Sequence, residues 1–257
     1  STLLNIIMGL DIPDSGTVTM RNDIRVAYLP QAPQFDPELS ILDVVLTSDN
    51  LYVKATREYE LAVELVNHDP SPVNQRLLSE ATTQMDALAA WDYDSRVKEV
   101  LSRLRIGDLN RKMGTLSGGQ VRKAALARVL IDETNFVILD EPTNHLDIDM
   151  IEWLEEFLQK QKMALLLVTH DRYFLDNVCV EIFELDNCSM YHYDGGYAYF
   201  VEKKAEREAA ERLETEKARN IYRTELEWMR RMPKARTHKS KSRIESFYEL
   251  EIKAKRS

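Results

Sequence analysis

Three features of the sequence predict an α/β fold built on a parallel sheet. The runs FVILD (136–140) and MALLLVT (163–169) are continuously apolar, as strands buried on both faces of a parallel sheet are. Between them, DIDMIEWLEEFLQKQ places Ile148, Ile151, Leu154, Phe157 and Leu158 at helical spacing after an acidic start, so strand, helix and strand form one βαβ unit. Finally, 257 residues with 44% hydrophobic content can supply a sizeable core for one large domain with appendages.

The remaining elements follow in order. The opening STLLNIIMGL runs from a hydroxyl pair into an apolar helical pattern that predicts a helix from Thr2 to Met8. Residues 16–29 predict two short strands, GTVTM and IRVAYL, separated by the turn residues Arg21-Asn22-Asp23. Residues 51–104 carry helical patterns only: LYVKATREYELAVELVN, then, past the breakers in HDPSPVN, Gln75 to Ala90, and a third stretch from Asp94 to Leu104. The Pro-rich turn between the first two predicts a helical hairpin projecting from the core. CVEIFEL and SMYHY predict a β-hairpin turned at Asp186-Asn187 and flanked by Cys179 and Cys188; in an otherwise cysteine-free chain these are read as two reduced thiols of a cytosolic protein. After the turn in YDGGYAYF, about thirty residues without Gly or Pro run to Pro233, the composition of a long, mostly solvated helix.

Charge divides the chain. The net charge is −9, yet from Lys203 onward 17 Lys and Arg stand against 10 acidic residues, leaving 17 basic against 33 acidic before it. The two parts should face different partners. The longest uninterrupted apolar run, Met163 to Val168, is far short of the roughly 20 residues a spanning helix requires, so direct membrane insertion is not expected. No metal-ligand spacing appears among the five histidines.

Three short segments carry chemistry. In LSGGQ (116–120), Gly118 and Gly119 allow close backbone approach, and Ser117 stands where a helix N-cap would, so the segment offers N–H groups, a hydroxyl and a positive helix end to an anion; the bland alternative is a capped turn. FVILDEPTNHLD (136–147) puts Asp140 and Glu141 at the C-terminal end of a buried strand, the edge where open α/β sheets bind ligands. Side-chain alternation sends them to different places, one suited to a divalent cation and the other to orienting water. LLLVTHDRYFL (165–175) sets His170 just beyond another strand end, where it is either a capping residue or a third group addressing the same crevice.

LSGGQ, LDEPTNHLD and VTHDRYFL, in that order, closely resemble the signature motif, the Walker B segment with D-loop, and the switch histidine of ABC-type ATPases. Ser1-Thr2-Leu3-Leu4 resembles the end of a Walker A motif, which implies that a glycine loop and lysine belong before Ser1 and that the chain without them binds ATP weakly or not at all. YLPQ, ending at Gln31, resembles the Q-loop. TNHLD, VTHDRYFL, YDGGYAYF and the basic helical tail are most similar to the ABC-F branch, Uup-type.

That resemblance implies a P-loop ABC-type ATPase domain at 1–50 and 91–202 with a signature-bearing helical subdomain, a helical arm insertion at 51–90, and a basic helical linker at 203–257 leading to a second ABC ATPase domain of the same polypeptide. It implies ATP and Mg²⁺ as cofactors. Ser1, Gln31 and Asp140 are then assigned to Mg²⁺, Thr2 to the phosphates, Glu141 to the role of general base or water-positioner, and His170 to the γ-phosphate. Ser117, Gly118, Gly119, Gln120 and Asp147 would face nucleotide held by the opposite domain. The implied function is cytoplasmic ATP hydrolysis on the ribosome, with tRNA or DNA as further contacts. Arg230, Arg231, Lys234, Arg236, Lys239, Lys241 and Arg243, with no acid among them, suit an RNA phosphate backbone. The competing readings are the ATPase subunit of an ABC membrane transporter and a nucleic-acid-binding scaffold with a vestigial nucleotide site.

Overall fold

The computed structural model describes residues 2–47, 51–132, 134–230, 245–248 and 251. The chain divides into two units, Ser1–Val178 and Cys179–Ser257.

In the first unit, strands β1 (Val26–Leu29), β2 (Phe136–Asp140) and β3 (Ala164–Val168) form a parallel sheet in that order. The register pairs Leu29 with Leu139, and Leu139 with Leu167. Central β2 is buried along four of its five residues, as its apolar run predicts. β3 is only half-buried, because among the described residues it has one sheet neighbour rather than two. The predicted strand GTVTM is not one: residues 17–20 carry no strand structure and are largely exposed, and only the last four residues of IRVAYL pair. Its backbone finds no ladder among the described residues, and an unpaired segment has nothing to hold it extended.

Helices α1 (Thr2–Ile7), α6 (Gly118–Ile131), α7 (Ile148–Lys160) and α8 (Arg172–Val178) accompany the sheet. α7 starts where the Asp147 carboxylate accepts from the Met150 N–H at 3.1 Å, and buries Trp153, Leu154, Phe157 and Leu158 against the core. Ile148, counted in the predicted apolar stripe, falls off that face and is exposed. α6 is buried nearly all round, with Ala124, Leu126, Val129 and Leu130 in the core beside Leu29 and Leu139.

Helices α3 (Leu51–His68) and α4 (Pro72–Leu88) form the predicted hairpin, followed by α5 (Trp91–Arg103). α4 begins three residues earlier than its apolar pattern suggested, because the Ser71 hydroxyl caps it and Pro72 occupies the first turn, where a missing N–H costs nothing. The hairpin has a small core of its own, Ala55, Met85 and Ala90, with Tyr59 edge-on to Trp91 at 5.2 Å. Short α2 (Ile41–Val45) and the residues just before it are joined to the segment preceding α6 by four backbone bonds: Ile41 N–H to the Arg111 carbonyl, Leu42 N–H to that of Leu109, Met113 N–H to that of Leu39, and Gly114 N–H to that of Pro37. Glycine is required at 114, since a Cβ there would lie 2.9 Å from the Pro37 Cβ.

In the second unit, β4 (Ile182–Asp186) and β5 (Ser189–Tyr193) make an antiparallel hairpin. Its turn is Asn187-Cys188, one residue later than predicted, with both residues left-handed (φ 47° and 59°), the conformation that matches strand twist in two-residue hairpins. Both cysteines are free; Cys188 is exposed and Cys179 half-buried. Helix α9 (Tyr197–Arg230) runs 34 residues. Its first turns are fastened to the hairpin: Glu184 accepts from Arg207 at 2.8 Å and from Lys204, and the Arg207 guanidinium lies 3.7 Å from the centre of the Tyr191 ring. Further along, Tyr222 stacks on Phe247 with ring centres 5.2 Å apart. Among the described residues no helix is long and apolar enough to cross a membrane.

Candidate functional site

The C-terminal end of β2 delivers Asp140 and Glu141, which are 2% and 6% exposed. One more ladder bond, Glu141 N–H to the Val168 carbonyl at 2.7 Å, holds the chain to β3 past the strand's end. There Glu141 adopts a left-handed φ of 55°, which costs a residue with a side chain about 1–3 kcal/mol and is stored where surrounding structure imposes it. This turn carries the carboxylate over the end of β3. Oε2 lies 3.4 Å from the His170 N–H nitrogen and 3.5 Å from the Thr169 hydroxyl, and Oε1 is 3.3 Å from His170 Nε2. The imidazole itself is 98% exposed, so a buried acid is joined to an open rim.

Asp140 takes the other side, as strand alternation requires. Burial, and then the charge of Asp140, push the Tyr28 phenol up; Tyr28 in turn donates to Asn5 Oδ1 on α1 at 3.3 Å. The two acids therefore divide one sheet edge between the α1 side and the β3 side. Thr2 opens α1, and Ser1 lies outside the described residues. Gln31, just past β1, is exposed.

The predicted N-cap at Ser117 is present as a reciprocal capping box: the Gln120 N–H donates to Ser117 Oγ at 3.4 Å and the Ser117 N–H to Gln120 Oε1 at 3.0 Å. Ser117, Gly118 and Gln120 turn outward to solvent, and a Cβ on Gly119 would sit 3.5 Å from that of His145 in the loop after β2. Asp147, besides capping α7, pairs with Arg105 at 2.8 Å, which also reaches Asp149 at 3.5 Å.

Three further residues at or near the site stand outside the assigned motif positions. Arg122 on α6 donates to the carbonyls of Asp140 (2.6 Å), Glu141 (2.5 Å) and Gln31. A cation at a helical position shared with Leu126 and Val129 was its one sequence signal. Thr169 and Arg105 gave none. Of the basic tail, Arg230 closes α9 and is exposed; Arg231, Lys234, Arg236, Lys239, Lys241 and Arg243 lie outside the described residues.

No group of three or more His, Cys, Asp or Glu forms a cage for a metal among the described residues. The buried Asp140 carboxylate at the sheet edge instead fits a hard cation such as Mg²⁺ that keeps waters and arrives with phosphates.

Comparison with known proteins gives concordant results. An ABC transporter family matches residues 1–144, and a second ABC transporter family, an extension, matches 183–257. The uncharacterized ABC transporter ATP-binding protein YfmR of Bacillus subtilis is 44% identical over 247 residues, covering 95% of this chain and 39% of that protein. The energy-dependent translational throttle protein EttA of Escherichia coli K12 is 35% identical, covering 97% of this chain and 45% of the relative; that of Mycobacterium tuberculosis H37Rv is also 35% identical, with coverages of 100% and 46%. The chain thus spans less than half the length of these relatives. Among solved structures, the ATP-binding subunit of an ABC transporter (TM-score 0.51, 21% identity, 75% of this chain and 73% of that one) shares the fold. So does the archaeal ribosome recycling factor aABCE1 in complex with the stalk protein aP1 (TM-score 0.52, 21% identity, 79% and 34%).

Proposed function

The chain belongs to the ABC transporter family of ATP-binding domains, which matches more than half of it, and on that premise we propose that it is the N-terminal ATP-hydrolysing domain and linker of a cytoplasmic ABC-F protein, Uup-type, acting on the ribosome. One observation carries the hydrolytic part of the reading: a buried Glu141 carboxylate 3.3 Å from an exposed imidazole at the ligand-binding edge of a parallel sheet. The translational part is supported by the likeness to proteins named translational throttles and by the basic excess from Lys203 onward.

Phosphoryl transfer asks a protein mainly for positioning and charge stabilisation. In this reading Glu141 orients and deprotonates the attacking water, while His170 contacts the γ-phosphate. Thr2 binds the phosphates at the start of α1, and Ser1, Gln31 and Asp140 would hold Mg²⁺. The bound cation would neutralise charge developing on the phosphates. The outward-facing turn Ser117–Gln120, with Asp147, addresses nucleotide on a second ABC ATPase domain of the same polypeptide. The core takes in 1–50 and 91–202, the arm 51–90 and the linker 203–257.

The test is Glu141→Gln in the polypeptide that carries both domains. Removing a general base typically costs about 10²–10⁴ in rate, so steady-state hydrolysis should fall at least about 100-fold while ATP stays bound. Turnover equal to that of the wild type would remove Glu141 from this role and the hydrolytic reading with it.

A further inference from the structure

Arg122 is a buried charge with no part in nucleotide binding as described above. It sits on α6, two residues beyond Gln120, and is 6% exposed among the apolar side chains of that helix. Its Nη2 donates to the carbonyl oxygens of Asp140 at 2.6 Å and Glu141 at 2.5 Å, and its Nη1 to the carbonyl of Gln31. Its Nε is buried without a hydrogen-bond partner among the described residues. Burying a cation that is not fully hydrogen-bonded is unfavourable, and an apolar side chain would pack the same space without that penalty. What an arginine adds is a rigid planar fork that fixes several acceptors relative to one another.

The acceptors belong to two separate segments, the loop after β1 and the end of β2. Glu141 in particular is held at both backbone groups, its N–H by the Val168 carbonyl and its carbonyl by Arg122, with φ at 55° between them. We propose that Arg122 is a positioning residue for ATP hydrolysis: its fork holds Glu141 in the left-handed conformation that aims the carboxylate at His170, and keeps the Gln31 loop in register with it. Because Arg122 stands in the first turns of the helix that Ser117–Gln120 opens, engagement of that outward turn is passed through one side chain to the water-activating acid. The proposal rests on the reading of Glu141 as the group that positions water.

The test compares Arg122→Lys, which keeps the charge but not the fork, and Arg122→Met, which keeps the length but not the charge, with Glu141→Gln in the two-domain protein. A misplacement of about 1 Å can cost about 100-fold in rate, so both Arg122 variants should lose about 10- to 100-fold in kcat. KM and the affinity for MgATP should stay within about twofold, the signature of an interaction that matters only in the transition state. Arg122→Lys should also keep the melting temperature of the wild type. Wild-type kcat in either variant overturns the proposal. So does a parallel fall of kcat, nucleotide affinity and melting temperature, or failure of both variants to fold, since each assigns Arg122 a purely structural role. If Glu141→Gln itself still hydrolyses ATP, the nucleotide reading fails first, and the two failures are told apart.

Discussion

Asp43 illustrates how one residue sets a local pH dependence. Its carboxylate accepts from the Ser40 hydroxyl at 2.6 Å and the Ser40 N–H at 3.0 Å, while the Asp43 N–H returns a bond to Ser40 Oγ at 3.0 Å. The Ser40 hydroxyl foremost, opposed by burial and aided by the Ser40 N–H and Arg57, holds its pKa below the usual carboxylate value. A depressed folded-state pKa contributes stability that is complete above the ordinary carboxylate range and is lost as pH falls through that range to the lower value. Ser40→Ala should therefore lower stability by about 1 kcal/mol near neutrality. The deficit should shrink as acid protonates Asp43 in both proteins, which urea melts from about pH 7 to about pH 3 would follow. At this scale the sequence was legible where short runs end a buried strand, as the placement of Asp140, Glu141 and His170 at one sheet edge shows. It was opaque where partners are remote: Arg122 and Gln31 are 91 residues apart, and no local pattern announces a carbonyl as the target of a guanidinium.

Elements were legible where periodicity and capping agreed. α7 is capped by an Asp and buries Leu154, Phe157 and Leu158 of its predicted stripe, though not Ile148, and β2 is as buried as its run of apolar residues requires. GTVTM carries strand propensity, yet propensity cannot supply the neighbouring ladder that a strand needs, so it stays irregular. The α3–α4 hairpin shows a different dependence, because its cluster of Ala55, Met85 and Ala90 is separate from the main core. Met85 is fully buried there and receives the Thr56 hydroxyl at 3.9 Å from its sulfur. Met85→Ala should cost about 2–5 kcal/mol of local stability. Hydrogen exchange should accelerate across α3 and α4 while the amides of α6 and α7 keep their protection; acceleration throughout would show the hairpin and core to be one cooperative unit.

Over the whole chain, the charge asymmetry was plain in composition, whereas its division into two units was not. The excess of 17 basic over 10 acidic residues from Lys203 onward gives the RNA reading a sharp expectation. A protein neutralising 6–10 phosphates loses about 10³–10⁵ in affinity between about 50 and 200 mM salt. Ribosome binding by the full polypeptide should weaken comparably in a salt titration, and affinity indifferent to ionic strength would remove the phosphate-contacting role. The two-residue turn of the β4–β5 hairpin has a practical consequence. Burial pushes the Cys179 thiol up and keeps it protonated, while Cys188 stands on the turn in open solvent. A maleimide dye should therefore attach at residue 188 well before 179, giving fluorescence measurements a nearly site-specific beacon beside the root of the long helix without any engineered cysteine.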